Sequence, residues 1–405
     1  MKERLNGLIY MRSRRKAILF VFITALLFRL IGLFFVDIHN LEYGDLTYQT
    51  TVENLLDGKG YLEGEFRAFR PPLFPLIHAG ILAVFGRDNI LALRLFFIMI
   101  GSITCVGIYL IARDIFRLKL AILTGLLLAL SPQHIWYSIH ILSECPYTLF
   151  LVFLVYFLLK AVQKNKLVFS CVAGILLGLS LLTRSILAGF LPLYLLWVIV
   201  VYKNKLSAIK HFAVLLIPVL LILSPWVIRN YMVLDTFVPL STDGAEVFIR
   251  GNNPGTLHSK TGFCSKYEDK VAEGLGEVER QKAYYNFGFK FIKNDTDQFL
   301  RNAMDKFIQL WRPFPNTKFP QVKPVYAIVY FLSFLPVLIL WFIGMPLSFI
   351  QFKYTSLIYL LIIYYTGIHM IMLACMRYRE PLMPFLILFA VFGITQLKKY
   401  RYVER

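Results

Sequence analysis

Apolar runs separated by short linkers rich in lysine and arginine set the pattern of the whole chain. A helix needs roughly 20 mostly apolar residues to cross a bilayer. Ten runs read as spans: Ala17–Val36, Ile90–Ile111, Leu120–Trp136, Cys145–Leu159, Leu167–Leu182, Ser185–Val201, His211–Ile228, Val325–Ile350, Leu357–Met376 and Pro381–Leu397. The eighth is expected to tilt or kink at Pro336 and Pro346. Leu73–Phe85 is short for a span and opens on prolines, so it reads as an interfacial or re-entrant helix.

The linkers orient the runs. Arg12, Arg14, Arg15 and Lys16 precede the first span, and Arg113, Arg117 and Lys119 follow the second. Lys160, Lys164, Lys166, Lys203, Lys205, Lys210, Lys353 and the closing LKKYRYVER then fall on the same side. Basic residues collect in cytoplasmic loops, so both termini are expected in the cytoplasm. Three regions follow: 1–228 with a first external loop at 37–89, an extracytoplasmic loop region at 229–324, and C-terminal spans at 325–405. The long loop opens with GNNPGT and then reads as two amphipathic helices, about Lys266–Ile292 and Gln298–Trp311, with Phe287, Phe291, Leu300, Met304 and Phe307 at helical spacing. Packing on the outer membrane face and an ordinary extracytoplasmic cap both fit that pattern.

Composition agrees with this all-α, polytopic membrane bundle. Of 405 residues, 58% are hydrophobic and 17% charged, and mean hydropathy is +0.63. The formal charge of +19 is explained by orientation rather than by nucleic acid, because the basic residues sit in the linkers. Alternating strands of a barrel are absent. Cys105, Cys145, Cys171, Cys264 and Cys375 are odd in number and lack CxxC spacing, which argues against a disulfide framework and a zinc site. The first apolar run exceeds a signal-peptide core and is followed by no small-x-small cleavage site, so it is expected to be retained.

Charge at span ends is expensive and therefore informative. On the expected outer face stand Glu42, Asp45, Arg70, His140, Glu144, Arg184, Arg229, Arg377 and Arg379. Such a mixture suits an anionic ligand and a proton acceptor. Asp45, before LTYQTTVENLLDG, fits either a helix N-cap or a general base, and Glu42 is the reserve base. Pro71 and Pro72 bias Arg70 toward extended backbone, and its guanidinium suits a phosphate as well as lipid headgroups. His140 and Glu144 share a face if one helix runs through Ser138. Arg377, Arg379 and Glu380 can also neutralise one another. Asp295-Thr296-Asp297 matches a metal-binding DxD but lies between two helices, where a cap is the simpler reading. No P-loop, GxSxG or helix-opening GxGxxG occurs, and no metal or cofactor is called for.

EYGDLTYQTTVENLLDGKGY, RPPLFPLIHAGILAVFG, LSPQHIWYSIHILSE, LLTRSILAGFLP, SPWVIRNY, GNNP and MRYREPLMPF, in that order, resemble the polytopic C-type glycosyltransferases that take sugar from a polyprenyl phosphate. The chain is similar in particular to bacterial relatives of protein O-mannosyltransferases and of the lipid A aminoarabinose transferase. The resemblance implies an undecaprenyl-phosphate-sugar donor, an extracytoplasmic acceptor and inversion at the anomeric carbon. It places the base at Asp45 or Glu42 and the lipid phosphate at Arg70. Tyr48, His140, Glu144, Arg184, Arg229, Asn252, Arg377 and Arg379 complete the expected substrate-binding set. The competing reading is a carrier or flippase for a lipid-linked or anionic substrate.

Overall fold

Hydrocarbon offers no water to bond free backbone groups, so a chain that crosses it repeatedly must close its hydrogen bonds within helices. The computed structural model describes residues 2–41, 47–256, 266–314 and 324–403. Among these residues there are helices and turns and no strand, only an isolated bridge between Glu63 and Phe66.

The first half comprises α1 (Lys2–Gly32), α2 (Gln49–Leu56), α3 (Leu73–Phe85), α4 (Ile90–Ile115), α5 (Leu118–Ala129), α6 (Pro132–Ile139), α7 (Glu144–Lys164), α8 (Leu167–Thr183), α9 (Phe190–Val201) and α10 (Lys205–Leu234). The loop region contributes α11 (Asp243–Gly251), α12 (Lys266–Ala272), α13 (Glu277–Asn294) and α14 (Thr296–Trp311). The chain then returns through α15 (Pro324–Leu347), α16 (Phe352–Ile371) and α17 (Met383–Val403).

Every run expected to span is helical, but length and apolarity support fewer crossings than ten. Among the described residues five segments qualify: Arg14–Phe35, Ile90–Ile115, Glu144–Lys164, Lys205–Leu234 and Pro324–Ile371, the last joining α15 and α16. A sixth is formed if α5 and α6, bent by 53° at their junction, count as one. That bend breaks the expected third span at Leu130 and Ser131, where Pro132 starts a new helix and leaves no donor to continue the old one. Pro336 and Pro346 both lie inside α15, which runs unbroken past the first and ends just after the second.

Helix α17 is the inner element. From Met383 to Phe392 its apolar side chains are buried all round, as expected of a helix surrounded by others. Gly344 of α15 lets the two backbones touch: a Cβ there would lie 1.8 Å from the carbonyl oxygen of Phe389. Helices α1, α10 and α15 keep many large apolar side chains on the outside, the pattern of a bundle whose surroundings are themselves apolar.

The loop region departs from its expected form in one place. The first amphipathic helix is split into α12 and α13 at Gly274, whose φ of +72° ends a helix readily. Asp295 caps α14 through Gln298 N at 3.0 Å, as the cap reading of the DxD required. Helix α2 starts at Gln49 with Tyr48 as its N-cap residue. Asp45 and Glu42 themselves lie outside the described residues.

Lys306, buried on α14, fastens the loop region to the bundle. Its ammonium donates to Asn252 Oδ1 (3.2 Å) and to the carbonyls of Ile371 (3.2 Å) and Met372 (3.1 Å) at the end of α16. A cation suits the negative end of a helix dipole. Burial nevertheless pushes its pKa down to about 7.

Two outcomes follow. Gly344→Ala should lower the thermal unfolding midpoint by an amount equivalent to at least about 1–3 kcal/mol, whereas Gly367→Ala, with open space at its Cβ, should not. For Lys306, the unfolded chain holds the proton up to about pH 10.4 and the folded one only to about 7. The unfolded state binds more protons between these values, so stability rises with pH across that window, by a few kcal/mol in order of magnitude. Chemical denaturation of Lys306→Met at pH 7 and 9 should show that rise abolished.

Candidate active site

Arg70 is presented by a loop that folds back on itself. Gly58, Gly60 and Gly64 take positive φ, and Asn54 Nδ2 donates to Leu62 O at 3.0 Å. The Tyr61 hydroxyl then donates to the carbonyl of Arg70 itself at 2.9 Å. Two other segments hold the loop from outside. Thr242 N and Asp243 N donate to Ala68 O and Phe69 O, each at 2.9 Å. The Glu277 carboxylate, opening α13, accepts from Arg67 N (2.6 Å), Ala68 N (2.9 Å) and Thr242 Oγ1 (2.8 Å). With its backbone so fixed, Arg70 sets Nε 3.1 Å from Glu63 Oε1 and its guanidinium over the Tyr48 ring at 4.9 Å.

A second group forms where α7 begins. The chain leaves α6 at Ile139, turns through Ile141 with a φ of +47°, and starts α7 with Glu144 in the first turn, where the helix dipole favours an acid. Glu144 is 0% exposed, and two guanidiniums meet it. Arg377 Nη2 donates to Oε2 at 2.8 Å, while Arg377 Nε and Arg184 Nη1 both contact Oε1. Arg184 is the extended residue after α8, and Arg377 lies in the 3-10 turn Met376–Leu382. Burial opposes the charge on both arginines, but Glu144 outweighs it and raises their pKa above the ordinary value.

Tyr48 joins the two groups, because its ring lies under Arg70 and its hydroxyl donates to Ser143 Oγ at 3.3 Å, which also accepts from Arg184 Nη1 at 3.4 Å. Asp243, the first residue of α11, sits between them. Its carboxylate accepts from Ser241 Oγ at 2.6 Å, and Ser241 in turn meets Ser185 Oγ at 3.1 Å. Burial raises the Asp243 pKa, against the pull of Ser241, Arg70 and Arg184. Glu63, Arg70, Asp243, Arg184, Glu144 and Arg377 thus make one string of alternating charge along one end of the bundle. Such an arrangement can hold an anion on its guanidiniums and offer a carboxylate as hydrogen-bond or proton acceptor. Among the described residues no group of three His, Cys, Asp or Glu is placed to hold a metal ion.

The remaining expected residues land elsewhere. His140 does not share a helix with Glu144, because α6 and α7 are separate; its ring lies against Trp136, with centroids 3.7 Å apart and planes at 40°. Arg229 donates to Tyr61 O (3.0 Å) and Arg67 O, tethering the Arg70 loop. Asn252 donates to Phe248 O and Ile371 O, both at 2.8 Å. Arg379 is buried and faces away from Glu144, donating to Leu310 O (2.6 Å), Arg312 O (2.8 Å) and Tyr330 Oη (2.6 Å). Glu380 lies 3.6 Å from His134 Nδ1 and makes no direct ion pair with Arg377, which takes Glu144 instead. Glu63, Asp243 and Ser241 were not singled out from the sequence. Only Glu63 carried a signal, being an acid in the same short loop as Arg70.

Residues 69–228 match the family model described as dolichyl-phosphate-mannose-protein mannosyltransferase. A comparison with curated protein sequences finds no match. Among solved structures, the archaeal oligosaccharyltransferase AglB from Archaeoglobus fulgidus, in complex with an inhibitory peptide and a dolichol-phosphate, superposes with a TM-score of 0.61 at 14% identity. The match covers 97% of this chain and 51% of that one, so the chain spans about half the length of that enzyme. The apo form of the Archaeoglobus fulgidus oligosaccharyltransferase gives 0.58 at 13%, covering 96% and 52%. ArnT from Cupriavidus metallidurans bound to undecaprenyl phosphate gives 0.48 at 13%, covering 95% and 77%. Residues 69–228, which contain Arg70, Glu144 and Arg184, thus match the model of the dolichyl-phosphate-mannose-protein mannosyltransferase family, and the chain shares the helical fold of the archaeal oligosaccharyltransferase.

Proposed function

We propose that the chain is an inverting glycosyltransferase that moves a sugar from a polyprenyl-phosphate donor, such as undecaprenyl phosphate, to a hydroxyl of an extracytoplasmic protein, lipid or envelope glycan. The observation that carries this is the placement of Arg184 and Arg377 on either side of the buried Glu144. One carboxylate between two guanidiniums leaves a net positive charge. Arg184 is 24% and Arg377 35% exposed at the side chain, so both reach an open side. Both arginines retain N–H groups that Glu144 does not use. Arginine suits phosphate because it stays charged and offers several fixed donors. The family match over 69–228 and the dolichol-phosphate in the structural neighbour support the lipid-phosphate reading.

In this reading the phosphate lies against Arg70, Arg184 and Arg377. The acceptor oxygen forms its bond to the anomeric carbon from the face opposite the phosphate, while the carbon–oxygen bond to the phosphate breaks and its electron pair passes to the leaving oxygen. Guanidiniums held in place before the reaction stabilise that growing charge without reorganising. Asp45 takes the proton of the acceptor hydroxyl, with Glu42 as the alternative base, and Tyr48 orders the space between the arginines. The active face is the extracytoplasmic one of the cell membrane, with both termini in the cytoplasm, as the basic linkers argue.

Three measurements test this in protein purified into lipid nanodiscs. Wild type should retain or bind a polyprenyl phosphate in native mass spectrometry in preference to ordinary phospholipid; no such preference would sink the proposal. Arg70→Ala and Arg377→Ala should each lower transfer about 10²–10³-fold and weaken lipid-phosphate binding. Asp45→Asn should bind the donor normally and transfer about 10²–10⁴-fold more slowly; a normal rate would remove Asp45 as the base.

Glu144→Ala separates architecture from chemistry. Leaving two half-buried guanidiniums without their carboxylate should destabilise the fold, though by less than the about 3–5 kcal/mol of a fully buried pair. The Glu144→Ala, Arg377→Ala pair should cost less than the sum of the single changes in chemical denaturation.

A further inference from the structure

Helix α14 buries one face against the bundle and carries an apolar stripe beside it. Asn302, Ala303, Lys306 and Leu310 are buried against the bundle, in contact with α16 and the 3-10 turn that bears Arg377. Leu300, Met304, Phe307 and Ile308 form an adjacent stripe that none of the described residues covers, with Leu300 58%, Met304 55% and Ile308 55% exposed. Their spacing of three and four places them on one continuous arc, since residues that far apart are helical neighbours. Arg301 and Asp305, also exposed, border it on the solvent side.

What covers the stripe follows from where it leads. One turn beyond Phe307 and Ile308, Trp311 stands on the same arc and stacks on Trp341 of α15, with ring centroids 4.9 Å apart and planes at 3°. Trp341 belongs to the apolar segment Pro324–Ile371, which is long enough to cross a membrane. Its neighbour Phe342 lies 4.6 Å away and is among the large apolar side chains on the bundle's outside, with Leu332 and Ile339. The stripe therefore runs into the lipid-facing surface of a spanning helix. A tryptophan at that junction matches the preference of its ring for the membrane boundary. Lys290 and Lys293, exposed on the preceding helix, and Arg301 put cations where headgroup phosphates would lie.

We infer that α14 is a membrane-surface helix whose Leu300–Met304–Phe307–Ile308 stripe is seated in the boundary between acyl chains and headgroups, continuous with the outer face of α15. The seating reaches the arginine cluster by a short path. Arg379 holds the carbonyls of Leu310 and Arg312 at the end of α14, and Arg377 stands two residues away on Glu144. Lipid contact along α14 thus fixes the level at which the Arg377 turn sits, whatever group the protein transfers.

The test places a photoreactive benzophenone amino acid at position 304, 308 or 305, one at a time, in full-length protein in nanodiscs of phosphatidylethanolamine and phosphatidylglycerol. Unfolding midpoints first establish that each variant folds, which these exposed positions favour. After irradiation, mass spectrometry should find lipid adducts in place of Met304 and Ile308 several-fold above those in place of Asp305. Equal labelling at all three positions, lipid adducts at none, or adducts to protein instead of lipid would each overturn the inference.

Discussion

The burial of one carboxylate between two guanidiniums organises this structure. Glu144 is the first residue of α7, Arg184 follows α8, and Arg377 lies on the turn between α16 and α17. Three segments far apart in sequence are therefore held together by charge at the edge of an apolar bundle. Removing such groups from water is costly, and the cost is met only when each has a partner with good geometry. Here Arg377 takes Glu144 with two donors, and Ser143 and Tyr48 extend the contact toward Arg70. The same demand fixes the shape of the junction: the break between α6 and α7 puts the positive end of a helix dipole under the carboxylate.

Elsewhere, buried cations are held by a different partner. Lys306 points at the carbonyls that end α16, and Arg379 at those that end α14. Arg94 reaches the carbonyl of Ile139 at the end of α6 and the loop carbonyls of Asp37 and Asn40. The last carbonyls of a helix have no intrahelical donor and carry partial negative charge. A strongly basic chain with few acids can thus bury lysine and arginine without a carboxylate for each. These cations join helix ends to one another and leave Glu144 to the two that face the open side.

How much of this the sequence disclosed depends on whether the signal was local. Apolar runs, proline brackets and the Asp295 cap are local, and they forecast the helices closely. The α5–α6 bend at Ser131-Pro132 could have been read from its proline, yet hydropathy bridged it. Side-chain direction was harder. Arg377 and Arg379 look equivalent in MRYREP, but the 3-10 turn sends the first to Glu144 and the second to Leu310 and Tyr330. Asp243 joins the cluster only because its own amide and that of Thr242 pair with the Arg70 loop from across the chain. No spacing rule could have placed it there.

The alternating string also constrains what it can bind. Glu63, Asp243 and Glu144 balance Arg70, Arg184 and Arg377, so the cluster is formally neutral as it stands. A neutral string is stable at an apolar boundary, where six groups of one sign would repel and drive the loops apart. An incoming phosphate must then find its positive charge locally. The Arg184–Glu144–Arg377 group supplies it, being one charge positive, whereas Glu63 already offsets Arg70. Asp243, with hydroxyl contact from Ser241 and no ion pair of its own among the described residues, stands beside that group and would be pressed by the new anion. Burial already raises its pKa, and a neighbouring anion would push it in the same direction. On the proposed reading, Arg184 and Arg377 therefore carry most of the phosphate's charge, and Arg70, already offset by Glu63, adds donors at its edge.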